Sequence, residues 1–107
     1  MPSARNAMLN GVGMSRATES HMDKVASTGC VICREYEGQR TPGHVHHIAD
    51  GSNPRSDFMT ACLCEDHHTG SVGVHGMGVK QFCRLFRLPN EYYLLELQNK
   101  FIAEDAR

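Results

Sequence analysis

With 107 residues, 40% of them apolar and 21% charged, the chain has the size and composition of one globular domain, neither disordered nor fibrous. A formal net charge of −1 excludes a uniformly basic nucleic-acid-binding surface and leaves room only for a locally positive face. No apolar run approaches the roughly 18 residues of a membrane-spanning helix, so no membrane association is expected.

Five Cys and seven His are a heavy load for so short a chain. The first residues lack the basic patch, apolar stretch and cleavage site of a secretory leader, which points to a reducing, intracellular setting. An odd thiol count there favours metal binding over disulfides. Acidic residues crowd the C-terminal part (Glu91, Glu96, Glu104, Asp105), whereas Arg34, Arg40, Arg55, Lys80, Arg84 and Arg87 lie in the middle.

Taken in chain order, residues 1–17 are rich in Met, Gly, Ser, Ala and Asn and read as a flexible arm, with the folded domain over 18–107. Residues 19–27 suit a short helix with Met22, Val25 and Ala26 inward, stopped by Gly29. The knuckle Cys30-Val-Ile-Cys33 follows, then a loop over 34–43 marked by Gly38, Pro42 and Gly43. Residues 45–48 and 58–63 read as the strands of an antiparallel hairpin, joined by a turn-rich stretch with Asp50, Gly51, Asn53 and Pro54. After the Gly-rich segment 70–78, residues 79–88 suit a helix. Val79, Phe82, Leu85 and Phe86 would share its buried face, and Lys80, Arg84 and Arg87 its outer one. Pro89 ends that helix. Asn90 is the expected N-cap of a last helix, with Leu94, Leu97 and Phe101, joined by Tyr93, as the buried stripe. The class is α+β.

Cys30-x-x-Cys33 and Cys64-x-x-His67 are two halves with the same spacing. Together they offer the soft ligands of a closed tetrahedral Zn²⁺ site. In a chain this small, metal binding becomes folding free energy, on the order of 10 kcal/mol. Cys62 is a rival for Cys64, because on an extended strand both side chains point the same way; the x-x spacing favours Cys64. Cys83 has no partner and reads as a small, half-buried residue.

One knuckle cannot use His44, His46, His47, His67, His68 and His75 together. His46 and His47, adjacent on a strand, face opposite ways. They are poor joint ligands of one ion, and suit a division of labour between metal and substrate. His67 and His68 diverge likewise, so one can close the zinc site while its neighbour faces a second centre.

Cys30-x-x-Cys33, Val45-His46-His47-Ile48, Ser56-Asp57-Phe58, Leu63-Cys64-x-x-His67-His68 and Gly73-Val74-His75-Gly76, in this order, resemble the HNH nucleases. The likeness is strongest to the phage and prophage group that includes the recombination enhancement function nuclease, and runs over about residues 21–97. It implies a small ββα-metal core with a structural zinc knuckle, flanked by helices, in a bacterial cytoplasm. By the same resemblance His46 and His68 hold a catalytic divalent ion and His47 is the general base. His75 is then a third ligand or a phosphate contact. Asp57 stands where the pattern usually has Asn, and either orients His47 or reaches the ion through water.

The implied activity is metal-dependent hydrolysis of DNA phosphodiesters, with Mg²⁺, Mn²⁺, Ni²⁺ or Zn²⁺ at the active site. Imidazole ligands favour the later transition metals over Mg²⁺ by affinity, though Mg²⁺ is abundant in cells. Arg40, Arg55, Lys80, Arg84 and Arg87 are the candidate DNA contacts, and so modest a basic face suggests a protein partner for targeting. Two departures stand out: Cys62 replaces a usual Pro, and the arm carries only Arg5 and Arg16 in place of a long basic region. Dependence on a recombinase filament is therefore not implied. The rival reading, a non-catalytic zinc module that holds DNA or a protein, explains the cysteines but leaves His46, His47, His68 and His75 idle. A metal store or sensor needs only the His and Cys count, and gives no reason for the paired histidines.

Overall fold

The computed structural model describes residues 15–48 and 56–107. Most of the expected arm, the turn-rich stretch after Ile48 and Arg55 lie outside these residues. In chain order the elements are α1 (Arg16–Ser27), α2 (Val31–Glu37), β1 (His44–His47), β2 (Thr60–Leu63), α3 (Glu65–His68), α4 (Val74–Met77), α5 (Val79–Leu85) and α6 (Tyr93–Asp105). The α+β class expected from sequence is what the chain adopts.

α1 starts earlier than the sequence suggested because Ser15 caps it, its hydroxyl accepting the Thr18 N–H at 3.1 Å. Arg16 and Ala17 are therefore the first residues of this helix. Thr18 and Val25 face inward and Met22 is half-buried, but Ala26 is exposed. At Gly29 the backbone turns left-handed (φ +75°), and a Cβ there would meet the Arg40 side chain at 2.7 Å.

The next segment differs from expectation. Val31–Glu37 is helical, where a loop over 34–43 was foreseen. Its first turn buries Val31, Ile32 and Cys33, which rewards helix over loop. Gly38 then closes it in a left-handed cap: its N–H donates to the Arg34 carbonyl and that of Gln39 to the Cys33 carbonyl, both at 3.2 Å.

β1 and β2 pair antiparallel in the register His44–Leu63, Val45–Cys62, His46–Ala61 and His47–Thr60. β2 begins at Thr60; Phe58, placed in the strand from sequence, is exposed in the turn before it. All four residues of β2 are buried, since α1, α2 and α6 pack around the strand. Its outer edge is closed by Gln98 of α6. The Gln98 carbonyl accepts the Cys62 N–H at 2.7 Å, and its amide donates to the Thr28 hydroxyl at 2.8 Å. Thr28 in turn donates to the Val25 carbonyl, so one buried relay ties α6, β2 and the end of α1.

α5 stops at Leu85, and its buried face is Phe82 and Cys83 with Phe86 half-buried. Val79 and Leu85, expected inward, are exposed. Phe82 and Phe86 pack at 4.9 Å with tilted rings, and Cys83 is buried more fully than its isolation suggested. Arg87 has φ +59° past the helix end and so does not continue the Lys80–Arg84 face. Leu88 then turns inward, its N–H donating to the Cys83 carbonyl at 2.8 Å.

α6 begins at Tyr93 with no side-chain cap. Asn90, foreseen as that cap, takes part through its carbonyl, which accepts the Tyr93 N–H at 3.2 Å. Leu94, Leu97 and Phe101 form the buried stripe and Tyr93 packs beside it, as expected. No helix among the described residues is long and apolar enough to cross a membrane.

Two candidate metal centres

The first cluster joins two helix starts. Cys30 precedes α2 and Cys33 lies in its first turn; Cys64 precedes α3 and His67 lies within it. All four are buried, and one ligand atom from each lies within 4.8 Å of the others. The Sγ atoms of Cys33 and Cys64 are 3.8 Å apart, and His67 Nδ1 is 3.5, 3.6 and 3.2 Å from the sulfurs of Cys30, Cys33 and Cys64. A tetrahedron with zinc–sulfur legs of about 2.3 Å has sulfur–sulfur edges of about 3.8 Å. The four ligand atoms thus fit a metal ion such as Zn²⁺.

Burial, with the neighbouring thiols adding to it, drives the Cys30 thiol well above its ordinary range, and burial raises Cys33 also. Burial lowers His67, which keeps its ring in the neutral, ligating form. Cys62 is buried and its thiol is pushed up to about 11, chiefly by burial, but it stands outside the four-residue group. Cys64 is the partner, as the spacing favoured, because the chain leaves the strand there to start α3. None of the five cysteines forms a disulfide.

The second cluster is His46, His68 and His75, whose ligand atoms also lie within 4.8 Å of one another. The ring centroids are 5.2 Å apart for His46–His68, 5.1 Å for His46–His75 and 4.8 Å for His68–His75. His46 is buried, His68 half-buried and His75 exposed, so the group opens to solvent on one side. His75 reaches it because glycines let α4 press against the end of α3. A Cβ on Gly76 would sit 1.8 Å from the Gly70 carbonyl oxygen, and one on Gly73 would sit 2.6 Å from the His68 carbonyl carbon.

The Nδ1 atom of His68 is buried with no hydrogen-bond partner. An orphaned buried nitrogen on a ring packed against two more imidazoles is what a cation would satisfy. Burial lowers the His68 pKa, and the nearby His46, His75 and His44 push it the same way. Its ring is therefore neutral at pH 7 and able to bind a metal.

His46 and His47 do diverge. While His46 joins the imidazole group, His47 Nε2 lies 2.7 Å from Asp57 Oδ1. The sequence missed one member of this region: Glu91, whose Oε2 is 2.8 Å from His46 Nε2. It sits in the turn ahead of α6, and only its place in the acidic C-terminal part drew notice.

Of the candidate DNA contacts, Lys80 and Arg84 line a cleft of about 590 Å³ whose far wall is Pro89, Asn90 and Glu91. Arg40 is engaged elsewhere, pairing with Asp105 at 2.8 and 3.2 Å. With Arg34 it holds the Asp105 carboxyl well below the usual carboxylate range. That ion pair ties the C-terminal helix to the knuckle.

No protein-family model matches the chain, and no match was found among curated proteins or solved structures. The functional reading therefore rests on the residues of the two clusters themselves.

Proposed function

We propose that the chain is a divalent-metal-dependent DNA endonuclease of the HNH type, in which β1, β2 and α3 make the ββα-metal core. One observation carries the reading most. His67 and His68, neighbours in sequence, each supply an imidazole to a different cluster: one closed by four ligands, the other left open with three. A closed set suits a structural ion, and an open set suits a catalytic one.

Cys30, Cys33, Cys64 and His67 would hold Zn²⁺. His46, His68 and His75 would hold the catalytic ion, with Mg²⁺, Mn²⁺, Ni²⁺ or Zn²⁺ as candidates. When bound, such an ion supplies Lewis-acid stabilisation of charge on the phosphoryl oxygens and the departing 3′-oxygen.

The remaining chemistry belongs to the chain. Nε2–H of His47 donates to Asp57 Oδ1, which fixes the ring and leaves Nδ1 as the basic atom. Nδ1 takes a proton from water as its oxygen attacks phosphorus, and the bond from phosphorus to the 3′-oxygen breaks. Asp57 steadies the imidazolium that results. Lys80 and Arg84 line the neighbouring cleft and would track the DNA backbone, a salt-dependent contact without sequence information. A targeting partner would supply what so small a basic face lacks.

The test is nicking of supercoiled plasmid with Mg²⁺, Mn²⁺ or Ni²⁺, comparing wild type with His47→Ala. Wild type should nick, and His47→Ala should be slower by about 10²–10⁴. A wild type inert with every metal, or a His47→Ala protein that cuts equally well, contradicts the reading.

A further inference from the structure

We propose that Glu91 is a positioning residue of the three-imidazole centre, accepting the Nε2–H of His46 so that Nδ1 of His46 is presented to the ion. The inference shares with the nuclease reading only the premise that His46, His68 and His75 hold a divalent cation.

The contact is short and sheltered. Glu91 Oε2 lies 2.8 Å from His46 Nε2, with the side chains 16% and 4% exposed. A carboxylate taken this far from water needs a strong hydrogen-bond partner. Glu91 lines one cleft with Lys80 and Arg84, yet its carboxylate contacts His46. The carboxylate also stands on a fixed support. The Glu91 carbonyl accepts the Leu94 N–H at 3.0 Å, Leu94 is fully buried, and Leu88 anchors the other side of the turn.

Geometry separates this role from that of a ligand. The atoms of His46, His68 and His75 form a mutual group within 4.8 Å, and Glu91 is not part of it. Its Oε2 contacts His46 Nε2 without joining that group. A neutral imidazole has one N–H and one lone pair, so committing the Nε2 proton to Glu91 leaves the lone pair on Nδ1. A carboxylate behind a metal-bound histidine fixes the ring and makes it a better donor, and its loss typically costs about 10–100-fold in metal affinity. His68 shows the contrast: its buried Nδ1 has no hydrogen-bond partner.

The experiment is Mn²⁺ titration of the full chain with the knuckle zinc in place, followed by calorimetry. Wild type, Glu91→Ala, Glu91→Gln and the exposed control Glu96→Gln are compared. Glu91→Ala should weaken Mn²⁺ binding about 10–100-fold, Glu91→Gln less because its amide oxygen still accepts the N–H, and Glu96→Gln not at all. Knuckle zinc should stay at one per chain in all of them. Unchanged Mn²⁺ affinity in Glu91→Ala, or loss of knuckle zinc along with it, overturns the proposal. A second measurement needs no variant: in wild type loaded with Cd²⁺, the nitrogen of His46 coupled to the metal should be Nδ1, and coupling at Nε2 overturns it.

The two readings fail separately. If Glu91→Ala weakens Mn²⁺ binding but wild type cuts no DNA, the nuclease falls and the positioning role stands. If wild type cuts and Glu91→Ala binds as tightly, the reverse holds. A wild type that takes up no ion beyond the knuckle overturns both.

Discussion

The knuckle and the imidazole group meet at two consecutive residues, His67 and His68, and differ in almost every physical respect. The knuckle has four ligands, three of them thiols, all buried. The imidazole group has three nitrogens, and His75 is exposed. The knuckle draws on the starts of two helices and so joins the first half of the domain to the second. The imidazole group hangs from the end of β1, the end of α3 and the short α4, and leaves a side for solvent or substrate. On the proposed reading, ligand count and access separate a cluster that holds the fold from one that performs chemistry. One dipeptide contributes a ring to each cluster because its side chains diverge.

The sharpest way to break that contrast is to remove one member from each cluster. Cys64→Ser should strip the knuckle and unfold most of the domain. The metal term is on the order of 10 kcal/mol, comparable with the whole stability of a small domain at about 5–15 kcal/mol. His75→Ala removes an exposed side chain and should move the melting temperature by no more than about 3 °C, while abolishing the second ion. Thermal melts that show equal losses for the two variants would erase the distinction.

β2, which leads into the knuckle at Cys64, is held at its edge by Gln98. Gln98→Ala leaves the Cys62 N–H and the Thr28 hydroxyl without their buried partner. It should cost about 2–3 kcal/mol in denaturant unfolding with Mn²⁺ affinity unchanged. A parallel fall in Mn²⁺ affinity would mean that the imidazole group is not insulated from the core.

The smallest effect is one of pH. Burial keeps the Cys30 and Cys33 thiols protonated at neutral pH before metal arrives, so zinc uptake must expel protons. Each proton displaced makes affinity rise about tenfold per pH unit, roughly 1.4 kcal/mol. His68 is shifted the other way: burial and the neighbouring imidazoles lower its pKa, so it is neutral at pH 7 and protons compete for it only in more acidic solution. Calorimetry in buffers of different ionisation heat should therefore find protons released from Cys30 and Cys33 when the knuckle ion binds at pH 7, and none from His68 when the imidazole group takes its ion. Equal proton release at both would contradict the contrast.

The knuckle was readable from sequence because its two halves are local, each a pair of soft ligands at fixed spacing. The opposed faces of His46 and His47 were readable too, since strand geometry alone dictates them. Glu91 was not, because it lies 45 positions from His46 and no spacing rule links them. Gln98 was hidden for a similar reason: a polar residue on an apolar stripe shows its use only when the strand edge it closes is known. Residues 34–37 carry loop signals in Gly38 and Pro42 just beyond them, yet the burial of Val31, Ile32 and Cys33 starts a helix that runs through them. On α5 helical spacing puts Val79, Phe82, Leu85 and Phe86 on one face, yet of these only Phe82 and Phe86 turn inward while Val79 and Leu85 are exposed.

The most direct test of the two-centre account is a metal count on the wild-type chain. Saturated with Zn²⁺ and then dialysed against metal-free buffer, the protein should fall from two ions per chain to one and remain folded. The ion that stays should belong to the cysteines and the one that leaves to the imidazoles. A chain that never holds more than one ion, or that loses both together, contradicts the account.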